Sequence, residues 1–147
     1  MSIVDRITSL LSLDRPHRVN PDLIQAAVLL GIIQAPFSEQ VLFNRRASGM
    51  NNHASEICLP GGILEHIDKG SHINAAVREA EEEIGLPQEN VRVIGMLESF
   101  VTSRQVEVTP VVAIIRRPTE WLLQPHEVEV EEVIELPPSL KQKTIKP

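Results

Sequence analysis

A chain of 147 residues, 42% of them hydrophobic, is long enough to enclose one core and too short for two of ordinary size. Its 14 basic and 20 acidic residues leave a net charge of -6, which excludes a general basic surface for nucleic acid or anionic membrane. The single cysteine, Cys58, excludes an internal disulfide, and the longest apolar run, Ala26 to Ile33, is far below the ~20 residues that span a bilayer. With Asp5 standing where a secretion signal would carry basic residues, a cytoplasmic protein is expected.

Ile3, Ile7, Leu10 and Leu11 recur at helical spacing behind Ser2, so a short amphipathic helix opens the chain, followed by a linker from Arg15 to Pro21. The expected division is therefore an N-terminal helix and linker, residues 1–20, and a main domain, residues 21–147. Leu23 to Ile33 and Gln40 to Arg45 read as strands of a hairpin, separated by the turn-prone Ala35-Pro36-Phe37-Ser38. A short run from Glu56 to Leu59 ends at Pro60-Gly61-Gly62, where glycine permits backbone angles closed to other residues. From Ser71 a helix is expected, with Ile73, Val77, Ala80 and Ile84 on one stripe and Gly85 as the stop. Val91 to Val101 and Val106 to Ile115 read as two strands, with Thr109-Pro110 marking an edge or bulge. Val128 to Leu136 reads as a late strand carrying glutamates, and Pro137-Pro138-Ser139 opens a helix too short to complete. Strands and helices interleave without strict alternation, which favours an α/β (α+β) domain with a mixed sheet.

The helix after Ser71 carries the chemistry. At about 100 degrees per residue, Glu79, Glu82 and Glu83 gather on one face, away from the apolar stripe, while Glu81 projects elsewhere. Such neighbours repel by a few tenths of a kcal/mol per pair, a penalty that a hard divalent cation with oxygen preference would remove. Arg78, four residues before Glu82, is placed to orient that carboxylate. An acidic run on a helix is ordinarily only a solvated face. Here it follows Gly61-Gly62 across a loop, and those glycines let a backbone carbonyl approach a metal. His66 and His72 read as loop residues, and Trp121 as a core or dimer contact.

Arg-Glu-Ala-Glu-Glu-Glu-Ile-Gly-Leu, Arg78 to Leu86, together with Gly62 resembles the Nudix signature, which joins a glycine, a loop and a helix bearing Arg-Glu-apolar-x-Glu-Glu-x-Gly-apolar. Fifteen residues separate Gly62 from Arg78, two more than in that pattern, and Gly70 stands where a glutamate is expected; Glu65 and Asp68 are the replacements at hand. The segment from Val41 to Gly62 further resembles bacterial coenzyme A diphosphatases of this superfamily, matching at Leu42, Arg46, His53, Pro60, Gly61 and Gly62 and departing at Asn44, Ala47, Asn51, Ser55 and Leu59.

The resemblance implies a Nudix-type α/β/α sandwich that cuts the diphosphate linkage of a small nucleotide derivative. Coenzyme A is the first substrate implied. The alternatives are another diphosphate compound, such as ADP-ribose or a dinucleotide, or a noncatalytic binding module. Glu79, Glu82, Glu83 and the carbonyl of Gly62 would hold Mg²⁺ or Mn²⁺, supported by Arg78; Arg46, His53, Glu65 and Asp68 would meet the substrate. The general base stays open among Glu79, Glu129 and Glu132. Relatives usually continue with another strand and a helix, so the early end at Pro147 leads to the expectation of a truncated layer, or of a homodimer that completes it.

Overall fold

Two long apolar strands form the centre of the sheet. In the computed structural model, which describes residues 11, 18–34, 39–45, 57–117 and 132–135, β1 (Ile24–Gln34) and β7 (Val106–Ile115) run parallel from the pair Ile24 and Val106 to the pair Ile33 and Ile115. Strands covered on both faces are apolar almost throughout, and Ala27, Leu29, Ile32, Val111, Val112 and Ala113 have no exposed surface. β2 (Glu39–Arg45) lies antiparallel to the far end of β1, forming the expected hairpin, and β4 (Gly61–Ile63) lies antiparallel to its beginning. β3 (Ile57–Cys58) and β8 (Glu132–Glu135) pair with β2. Among the described residues the result is an eight-stranded mixed sheet whose path is β3-β2-β1-β7 and then the segment Val91–Met96, β5.

The outer edge of β7 corrects two readings. Val91 to Val101 is not one strand: β5 (Val91–Met96) and β6 (Phe100–Val101) divide that edge, and Leu97 to Ser99 leave the ladder between them. Thr109-Pro110 marks no sheet edge, because β7 pairs on both sides. Pro110 instead faces the break between β5 and β6, where its carbonyl accepts from the Leu97 N–H at 2.9 Å and, lacking an N–H, it returns no bond. The irregular register lies in β5, between Val93 and Gly95.

The helix, α1 (His72–Ile84), begins where Ser71 Oγ accepts from the Asn74 N–H at 3.0 Å and ends at Gly85, whose φ of 70° supplies the left-handed stop. Its buried face is Ala75, Ala76, Ala80 and Ile84; Ile73 and Val77 are only partly buried, so the contact is rotated towards small residues that let the helix sit close to the sheet. Burying one side chain the size of Ile84 stabilises by about 1.5–3 kcal/mol, more than the few tenths that each glutamate pair costs, so the acidic helix holds. Ala27, Leu29, Leu42, Val111 and Ala113 receive it. Leu30, Ile32, Val41, Leu97 and Val112 form the core on the opposite face, with Leu11 packed against it. The described residues thus supply the sheet and one helical layer. Apart from Leu11, the expected N-terminal helix lies outside them, as do Trp121 and the expected final helix. No described helix is long and apolar enough to cross a membrane.

Candidate active site

The site forms where β4 passes beneath α1, and two adjacent glycines set the separation for different reasons. A Cβ on Gly61 would fall 2.3 Å from the Ala27 carbonyl oxygen, so this residue admits the neighbouring strand. A Cβ on Gly62 would fall 2.8 Å from the Glu79 carboxyl carbon, so this one admits the helix carboxylate. The Gly61 N–H donates to Glu83 Oε2 at 3.1 Å, which ties a second helix glutamate to the same turn of backbone.

Arg78 gathers the remaining acids. Its Nε and Nη2 donate to the two oxygens of Asp68 at 2.8 and 2.9 Å, a bidentate pair matched to the guanidinium plane. Its Nη1 donates to Glu79 Oε1 and Glu82 Oε2, each at 3.0 Å, and lies 3.3 Å from Glu65 Oε2. Arg78 and Glu79 side chains are both 13% exposed, whereas Glu82 is 58% exposed and reaches solvent. The hydrogen bonds from Arg78 hold the Asp68 carboxyl below the usual carboxylate range against the opposing effect of burial, and Asp68 in turn drives the Arg78 pKa upward.

Asp68 is therefore not placed as the substrate contact read from the sequence. It is 1% exposed, its Oδ2 also accepts from the Glu65 N–H at 2.7 Å, and both oxygens are engaged. The turn His66–Asp68 is followed by Lys69 and Gly70 with φ of 52° and 77°, a left-handed pair that brings the chain back to Ser71. Asp68, six residues after Gly62, is thus the loop acid that pairs with Arg78, and Gly70, eight residues before Arg78, has no side chain to do so.

The structure brings together Gly62, Glu65, Asp68, Arg78, Glu79, Glu82 and Glu83. Arg46, His53 and Glu129 lie outside the described residues; Glu132 begins β8 opposite Phe43, with its side chain also outside them. The donor chemistry suits a hard divalent cation: carboxylate oxygens from one helix face, beside a glycine with room for Glu79 and nothing larger. In this arrangement the carboxylates turn to Arg78 and to Gly61, and among the described residues no three acidic, histidine or cysteine side chains form a closed cage.

A second polar cluster escaped the sequence reading. Glu107, 7% exposed, accepts from the Asn20 N–H at 2.7 Å, Gln25 Nε2 at 2.8 Å and Ser99 Oγ at 2.6 Å. Gln25, and then Ser99, hold its carboxyl below the usual range despite burial. The available signal was a polar residue interrupting each central strand, Gln25 in β1 and Glu107 in β7, directly paired across the sheet.

A model of the NUDIX domain matches residues 25–143. The chain belongs to the NUDIX domain family. It is 41% identical over 113 residues to a Pectobacterium atrosepticum protein named "Uncharacterized Nudix hydrolase NudL", covering 77% of this chain and 57% of that protein. A NudL of Cronobacter sakazakii is 38% identical over 136 residues, covering 91% of this chain and 69% of the relative. The chain thus spans little more than half the length of the Pectobacterium protein. Among solved structures, the Nudix hydrolase RenU of M. smegmatis superposes with a TM-score of 0.53 at 24% identity, covering 74% of this chain and 70% of that one, which shows a shared fold. Nudix hydrolases generally use divalent metal ions.

Proposed function

We propose that this Nudix domain hydrolyses the diphosphate linkage of a nucleotide derivative with Mg²⁺ or Mn²⁺, and that coenzyme A, cut to 3',5'-adenosine diphosphate and 4'-phosphopantetheine, is its substrate. The observation that carries the reading is the gathering of Glu79, Glu82 and Glu83 beside Gly61-Gly62, with Arg78 supplying one positive charge to more carboxylates than it can neutralise. Glu79, Glu82, Glu83 and the Gly62 carbonyl are the residues that would hold the cation, which supplies Lewis-acid activation of water and neutralises phosphate charge.

The chain's own contributions are orientation and proton transfer. Arg78, fixed by Asp68, sets the rotamers of Glu79 and Glu82 before substrate arrives, so little reorganisation remains for the chemical step. A carboxylate must take the proton of the attacking water. Glu79, Glu129 and Glu132 are the candidates. Arg46 and His53 are assigned to the substrate, Arg46 through its planar fork on a phosphate. The choice of coenzyme A rests on the resemblance of Val41 to Gly62, since the glutamate helix is common to the wider family.

The test is hydrolysis of coenzyme A, ADP-ribose and a dinucleotide with each metal, with products identified by mass. Coenzyme A is expected to have the highest kcat/KM. An efficiency at least about tenfold higher, ~1.4 kcal/mol of transition-state stabilisation, for either competitor would overturn the substrate while leaving the metal chemistry standing.

A further inference from the structure

Gln25 touches both ends of the loop that carries the Arg78 clamp. Its backbone carbonyl accepts from the Leu64 N–H at 2.9 Å, where the chain leaves β4. Its side-chain Oε1 lies 2.9 Å from His72 Nε2, where the chain enters α1. Between these two points lie Glu65 and Asp68.

The orientation of the Gln25 amide is determined by its neighbours. Nε2 lies 2.8 Å from Glu107 Oε1, 2.9 Å from the Asn20 carbonyl and 3.3 Å from the Leu23 carbonyl. Three acceptors around one atom require the nitrogen there. Oε1 therefore faces His72, and His72 must carry a proton on Nε2 to donate. At Gly70 the loop packs against nothing: a Cβ there would meet no atom within 4 Å.

We propose that Gln25, oriented by Glu107, is a positioning residue that stakes both ends of the 64–72 loop and so holds Asp68 against Arg78, and Arg78 against the glutamates. Fixing the ends of a loop removes most of the conformations its interior can explore. The catalytic consequence rests on the diphosphate-hydrolase reading; the structural consequence does not.

The test uses the full chain with Gln25→Leu, His72→Phe and the double variant. Hydrogen exchange at the Asp68, Lys69 and Ser71 amides, which bond within the loop, is expected to speed up at least about tenfold while the β1 and β7 ladders keep their protection. In the same variants kcat is expected to fall about tenfold with KM within about twofold, as for groups that orient metal ligands indirectly. The double variant should be no worse than the worse single one, since the Gln25–His72 bond is the link that both remove. In the parent, ¹⁵N spectra should show the His72 ring protonated on Nε2, a signature lost in Gln25→Leu. Unchanged loop exchange, or faster exchange spread evenly through the sheet, would overturn the proposal. If Gln25→Leu fails to fold, Gln25→Asn, which shortens the reach to His72, decides by the same readout. If the parent turns over no diphosphate compound, the functional reading fails and the exchange result still judges the stake.

Discussion

The two acidic assemblies of this protein meet opposite fates. Around Arg78, four carboxylates share one guanidinium, and Glu82 keeps more than half its side-chain surface exposed. Around Glu107, one carboxylate receives three neutral donors and is closed from solvent. The first holds surplus negative charge at an open position, the condition for recruiting a cation; the second is satisfied, and its residues contribute order instead. A count of acids does not distinguish them. Their donors do.

The contrast is broken most severely at Glu82. Glu82→Gln is expected to lower turnover on the order of a thousandfold, while stability shifts by less than about 1 kcal/mol because the side chain is largely exposed. Steady-state kinetics beside denaturant unfolding reads both, and a twofold loss of turnover, or full activity in excess chelator, would refute the assignment. The adjacent glycines sharpen the point next. Gly62→Ala is expected to displace Glu79 and cost about a hundredfold in kcat with the fold intact, since the clash is with the end of a flexible side chain. Gly61→Ala clashes with strand backbone and is expected to destabilise by about 3 kcal/mol. Equal stability losses in the two variants would remove the distinction.

Asp68 belongs to both behaviours, being buried like Glu107 yet paired with Arg78. Asp68→Asn is expected to destabilise by about 2 kcal/mol, less than a fully isolated buried pair would lose, because Glu79 and Glu82 still face the guanidinium. Urea midpoints measure it. The smallest effect expected is on acid stability. Asp68 and Glu107 have folded-state pKa values below their ordinary ones, so their stabilisation is complete above the usual carboxylate range and is lost as pH falls through the depressed values. Glu107→Gln should therefore show a shallower loss of stability below pH ~4 than the parent, and an unchanged acid limb would count against this account.

Local patterns made much of this legible from residues alone. The run from Ile24 to Ile33 and the run from Val106 to Ile115 are apolar enough to be read as strands, and Ser71 and Gly85 bracket a helix by chemistry that acts within a few residues. Helical periodicity likewise places Glu79, Glu82 and Glu83 together, because 3.6 residues per turn leave no other choice. Tertiary structure alone decided the rest. The break opposite Pro110, the burial of Asp68 beneath Arg78 and the junction of Gln25, Glu107, His72 and Ser99 join residues far apart in the chain. Sequence spacing specifies which side chains share one face of one element; which carboxylate is saturated and which is left with charge to offer depends on donors brought in by other elements, and so on packing.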